Sequence, residues 1–156
     1  MKRISKHVTA ACAILCLSAN PYASSAADEV QAEGAYVRAV PPGQPNSAAF
    51  VILTNNGEVD HALVAAESDV AKVAELHTHL LEQGMMKMRR VEKIDLPAGE
   101  TAKLQPGALH IMLIDLTKQL APGDDVKIGL VFEDGSRVSL AAPVKTVQQT
   151  MMQHRQ

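Results

Sequence analysis

Turn signals at short intervals constrain this chain more than any other feature. Pro41-Pro42-Gly43, Asn55-Asn56-Gly57, Gln83-Gly84, Leu96-Pro97-Ala98-Gly99, Pro106-Gly107, Pro122-Gly123-Asp124 and Asp134-Gly135 cut the sequence into brief segments. Proline removes a backbone donor and glycine opens turn conformations, so no long helix can run through them. Residues 35–40, 48–54, 61–66, 101–104, 110–116, 126–132 and 137–144 carry Val, Ile, Leu and Ala and read as strands, and residues 86–94 read as one by their alternation. Asn55-Asn56-Gly57 reads as a tight turn and Asp134-Gly135 as a hairpin turn. Short strands at this spacing predict a single all-β domain, an antiparallel sandwich or barrel. Residues 69–82 are ambiguous. Val70, Val73, His77, Leu80 and Leu81 share a helical face, with Asp69 as cap and Gly84 as stop. Read as a strand, the segment puts Glu75, His77 and His79 on one side and Leu76, Thr78 and Leu80 on the other. Pattern alone slightly favours the helix.

The two ends differ from this body. Residues 1–26 read as a secretory signal peptide: Lys2, Arg3 and Lys6, then an apolar run over 8–19, then small residues. The run is too short to span a bilayer comfortably. Cleavage is expected after Ala26 or Ala27, leaving a loose leader over 27–33. Cys12 and Cys16 both fall in the discarded segment, so the mature chain has no thiol for a disulfide or a metal. Leu15 before Cys16, and the early position of Cys12, argue against lipidation. Three fewer cations take the formal charge from −2 to −5. With that charge and no Trp, nucleic acid and anionic lipid are poor partners. Residues 147–156 read as a flexible tail, although Met151, Met152 and His154 lie in it.

The donor-rich stretch is 77–112. Ten residues separate His77 from Met88, twenty-one separate Met88 from His110, and one separates His110 from Met112. In a strand, residues two apart share a face, so His110 and Met112 present an imidazole beside a thioether. Thioethers suit Cu(I) and serve zinc, magnesium and calcium poorly, whereas imidazole accepts copper in either valence. A structural zinc site or a blue-copper centre would want cysteine. A lone Met is usually core filler, but two histidines and two methionines at fixed spacing read as a Cu(I) site. His79 and Met86 are auxiliary candidates beside it, as are Met151, Met152 and His154 in the tail, where a second copper ion is the alternative to an inert end. Glu75 reads as a solvated charge or as the partner of a ligand imidazole. His61 reads as surface.

These residues resemble the periplasmic copper chaperone family PCu(A)C. The matching text is Glu75-Leu76-His77, Met86-Lys87-Met88-Arg89, Leu96-Pro97-Ala98-Gly99 and Pro106-Gly107-Ala108-Leu109-His110-Ile111-Met112-Leu113. The family's ligand pattern of His, ten residues, Met, twenty-one residues and His-x-Met is reproduced without a gap, and the resemblance covers about residues 34–145. It implies a Greek-key, cupredoxin-like sandwich over 34–146, with 74–80 as a strand. It also implies a non-enzymatic, monomeric periplasmic carrier with His77, Met88, His110 and Met112 as ligands. Its partner would be a copper acceptor, cytochrome c oxidase or another copper carrier. An exported β-sandwich interaction module without metal, and a copper-buffering protein, are the alternatives.

Overall fold

The computed structural model describes residues 24–149. A single helical turn, α1 (Ala26–Glu29), leads into ten strands. They are β1 (Val30–Arg38), β2 (Ser47–Asn55), β3 (His61–Ser68), β4 (Ala71–Glu82) and β5 (Met85–Arg90), followed by β6 (Ile94–Leu96), β7 (Thr101–Leu104), β8 (His110–Leu116), β9 (Asp125–Phe132) and β10 (Arg137–Lys145). One layer runs β5-β4-β8-β2-β1, and the other runs β10-β9-β3-β6. They join through a short parallel pairing of β1 with β10, Val37 to Val144 and Arg38 to Lys145. Every other pairing is antiparallel. The free edge of β2 is divided: residues 47–49 pair with β8 and residues 51–54 with β7. This is the all-β, cupredoxin-like sandwich expected from the turn spacing and the resemblance.

Alternation builds the core. Leu53, Leu76, Ile111 and Leu113 from one layer meet Leu63 and Phe132 from the other, all buried. Their neighbours in sequence therefore face outward. The ambiguous segment 69–82 is extended. Leu76 is 3% exposed and Val73 is 45% exposed, whereas the helical face would have buried both Val70 and Val73. Pairing with β8 on one side and β5 on the other supplies the backbone partners that a helix would have found internally.

Four expectations need correction. Residues 27–33 are no loose leader: they lie in α1 and β1, with Ala26 and Val30 buried. The Ala26 N–H donates to Asp134 Oδ2 (2.8 Å) and the Ala27 N–H to Ser136 Oγ (3.0 Å), which holds the turn on the sandwich. The run 86–94 is broken after Arg90, because Ile94 and Leu96 bury their side chains and pair with β3 in the other layer. Asn55-Asn56-Gly57 is not the whole of a tight turn but the start of a longer link over 56–60, since β2 and β3 lie in different layers. Asn55 is fully buried and organises the crossing. Its Nδ2 donates to the carbonyls of Val59 and Leu96 (both 2.8 Å), and its Oδ1 accepts from the Gly57 N–H (2.9 Å). A Cβ at Gly57 would overlap the Glu29 carboxylate and force that side chain to shift. Last, His61 is 8% exposed and not a surface residue. Its Nδ1–H donates to Glu133 Oε1 (2.7 Å) and its Nε2–H to Glu29 Oε2 (3.0 Å). The expected signal peptide through residue 23 and the expected tail from residue 150 lie outside the described residues. Residues 147–149 of the expected tail form a helical turn, and Gln149 bonds reciprocally with Thr146 before it.

Two outcomes follow for stability. Asn55→Ala leaves two carbonyls and an N–H without partners, so urea unfolding should show a loss of about 2–3 kcal/mol. The second concerns pH. The hydrogen bond to Glu133 raises the His61 pKa above its ordinary 6.5, against burial and with help from Glu29. That stabilisation is complete below 6.5 and is lost as pH climbs through the raised folded value. Glu133 moves oppositely. Burial pushes its pKa up, but hydrogen bonds from His61 and the Ala62 N–H outweigh burial and lower it, so its contribution fades only in acid. The stability difference between the native chain and His61→Gln should therefore shrink between about pH 6 and about pH 9. Denaturant midpoints at both pH values check it.

Candidate metal centre

Cross-strand register sets the site. Across β4 and β8, Glu75 lies opposite Met112 and His77 opposite His110; across β4 and β5, His79 lies opposite Met88 and His77 opposite Arg90. Residues directly opposite share a face of the sheet. Glu75, His77, His79, Met88, His110 and Met112 therefore stand on one outward face, opposite buried Leu76, Ile111 and Leu113. The His77 and His110 ring centroids are 5.8 Å apart, and those of His79 and His110 are 5.1 Å apart. A cleft of about 310 Å³ opens here, with His79, Met88, His110, Met112, Arg38 and Phe50 among its walls.

The four predicted ligands do not have equal places. His110 and Met112 lie on β8, paired on both sides, and His110 is only 2% exposed. Met88 lies on β5, the outer strand of the layer, and is 43% exposed. His77 is not among the residues lining the cleft, whereas His79 is. Met86 shares the face but lies one pair further along the hairpin, opposite Leu81, and is exposed. Met85, opposite Glu82, points to the other face. Met151, Met152 and His154 fall outside the described residues.

The nitrogens are set by their partners. The His77 Nε2 lies 2.9 Å from Glu75 Oε2. A carboxylate only accepts, so Nε2 carries a proton, and in the neutral imidazole Nδ1 is the lone pair. That Nδ1 is buried and has no hydrogen-bond partner. Such an atom is costly unless something binds it, and a metal ion would. The Nδ1–H of His110 donates to the Ala108 carbonyl (2.9 Å), which leaves its Nε2 as the free lone pair. His79 Nδ1 is 3.4 Å from the same carbonyl, a weaker contact. Burial lowers the His110 pKa; His79, His77 and Arg38 add to this, against the Ala108 bond. Together these favour the neutral imidazole, the form in which the ring can bind a metal. The hydrogen bond from His77 lowers the Glu75 pKa; burial opposes it and Arg90, at 3.5 Å, assists. Among the described residues no three histidines and carboxylates are arranged to hold a metal ion. Any metal on this face would need the thioethers.

Arg38 and Phe50 were not foreseen as part of the site. They reach it from β1 and β2, outside the donor-rich stretch, and no short motif marks them. Phe50 is buried on the outward face, with its ring 6.4 Å from His110 and 4.9 Å from Tyr36.

An all-β sandwich carrying histidines and methionines on the outer face of one layer belongs to the cupredoxin-like class. Two solved structures share this fold. The fold superposes on the copper-bound PCuAC domain from PmoF2 with a TM-score of 0.66, covering 78% of this chain and 97% of that one at 22% identity. It superposes on the Cu(I)-bound DR1885 protein of Deinococcus radiodurans with a TM-score of 0.60 at 38% identity, over 72% and 75% of the two chains. Lxx21020 of Leifsonia xyli subsp. xyli, whose name marks it as a candidate lipoprotein, is 37% identical over 120 residues, 76% of this chain and 71% of its own. The family model described as LpqE-like lipoproteins matches residues 30–144, and the chain belongs to that family, with the PCuAC domains as its structural kin.

The proton assignment is testable without metal. Long-range nitrogen–proton NMR spectra at neutral pH should show His77 as the Nε2–H tautomer and His110 as the Nδ1–H tautomer. Glu75→Gln should erase the His77 preference and leave that of His110.

Proposed function

We propose that the protein is an exported metallochaperone that binds one Cu(I) and passes it to an acceptor protein. Its ligands are His77 Nδ1, His110 Nε2 and the thioethers of Met88 and Met112. The observation that carries this reading is the placement of all four residues on one outward face of three adjacent strands, with the His77 Nδ1 buried and unpartnered. Two neutral imidazoles and two thioethers suit monovalent copper. The Cu(I)-bound DR1885 structure, at 38% identity, supports the same cargo. Carrier and not catalyst is the role such a site suits: thioethers hold copper selectively, yet yield stepwise to stronger ligands on a partner. The resemblance to PCu(A)C supports delivery towards the copper centres of cytochrome c oxidase in the periplasm.

A second arrangement has its own support. His79 lines the cleft and lies directly opposite Met88, so it can replace His77 as the first imidazole. Anaerobic Cu(I) titration against a competing chelator distinguishes the two. The native chain should bind one equivalent on this face. Met88→Leu and Met112→Leu should each weaken binding by about tenfold to a hundredfold, since each tenfold is about 1.4 kcal/mol. His77→Ala should weaken it as much and His79→Ala should not; the reverse order assigns the ligand to His79. If both leucine variants bind as the native chain does, the chain is an interaction module and not a copper carrier.

A further inference from the structure

A copper carrier must choose between two valences, and the donor set decides only part of that choice. Imidazole serves both valences, and only the thioethers prefer Cu(I). The wall of the cleft adds a fixed charge. Arg38 lines the same cleft as His79, Met88, His110 and Met112. Its Cζ lies 5.3 Å from the centroid of the Phe50 ring, which packs 6.4 Å from the His110 ring. A guanidinium over a buried aromatic face is held there by cation–π attraction. No Asp or Glu among the described residues pairs with Arg38. On the other flank the charge is cancelled, because Arg90 lies 3.5 Å from Glu75. No carboxylate is among the residues lining the cleft.

We infer that Arg38 is a specificity residue for copper valence, its guanidinium disfavouring Cu(II) in the cleft more than Cu(I). The inference rests on the copper reading given above and adds to it. Like charges repel in proportion to their product, so the divalent ion feels twice the repulsion of the monovalent one. One extra unit of charge at about 10 Å, in a medium of effective dielectric about 20, is worth about tenfold in an equilibrium constant. Partial burial of Arg38 and of the His110 floor limits screening by salt.

The test compares Arg38→Gln and Arg38→Lys with the native chain. For each, Cu(I) affinity is measured anaerobically and Cu(II) affinity aerobically, in the same buffer. The ratio of Cu(I) to Cu(II) affinity should fall about tenfold in Arg38→Gln, which equals a drop of about 59 mV in midpoint potential. Arg38→Lys keeps the charge and should stay close to the native ratio. An unchanged ratio in Arg38→Gln overturns the inference, as does a lysine variant that falls as far as the glutamine one. Arg38→Met, which keeps a long stem over Phe50, gives the same readout where the glutamine variant does not fold. Absence of Cu(I) binding by the native chain would remove the copper reading itself, a different result from Cu(I) bound with an unchanged ratio.

Discussion

The antiparallel register of β4 against β8 is the constraint on which everything else in this structure depends. It sets His77 opposite His110 and Glu75 opposite Met112. A slip of one residue would turn the whole polar set of β4 into the core and push Leu76 into solvent. Burial of Leu76 on one strand and of Ile111 and Leu113 on the other opposes that slip. The aliphatic face thus holds the donor face in place. β5 extends the same logic by one strand and brings Met88 alongside His79.

Within that frame the chain directs the ring nitrogens before any ligand arrives. Glu75 holds the Nε2–H of His77, and the Ala108 carbonyl holds the Nδ1–H of His110. Each bond fixes a tautomer and leaves the opposite nitrogen as a lone pair. The arrangement of Glu75 two residues before His77 is local, since both side chains stand on the same side of one strand. The Ala108 carbonyl serves His110 in the same way from the loop before β8. Short-range sequence therefore supplies the proton control, while long-range pairing supplies the convergence.

Much of this was legible in the residues. His-x-Met on an apolar strand is readable wherever the period is two, and the turn signals around 106–107 and 122–123 bounded β8 without ambiguity. What was not legible depends on tertiary pairing. Val70, Val73 and His77 fit a helix as well as a strand, and only the partners on both sides of β4 decide. Asn55-Asn56-Gly57 has the composition of a hairpin turn, but the buried Asn55 side chain spends its hydrogen bonds on Val59, Leu96 and Gly57, and so shapes a crossing between layers. His61 looked exposed beside Asp60, yet Glu29 and Glu133 reach it from distant positions in the sequence. Arg38 arrives at the cleft because β1 pairs with β2, and no pattern in residues 35–40 announces that.

The proposed handover also follows from where the strands lie. β4 and β8 are flanked on both sides, so His77, His110 and Met112 are carried by backbone that opens only with the sheet. Among the described residues β5 is paired on one side only, and nearly all of its side chains are exposed. Its backbone is bonded through a single ladder to β4, so local opening costs least there. Met88 is the donor on that strand. In a ligand exchange the first bond to break is the one whose donor can move away and whose place a partner can reach. Among the four proposed ligands Met88 meets both conditions, whereas the buried His110 meets neither. Under the proposed function, retention falls to the interior strands and release to an edge strand of the same sheet.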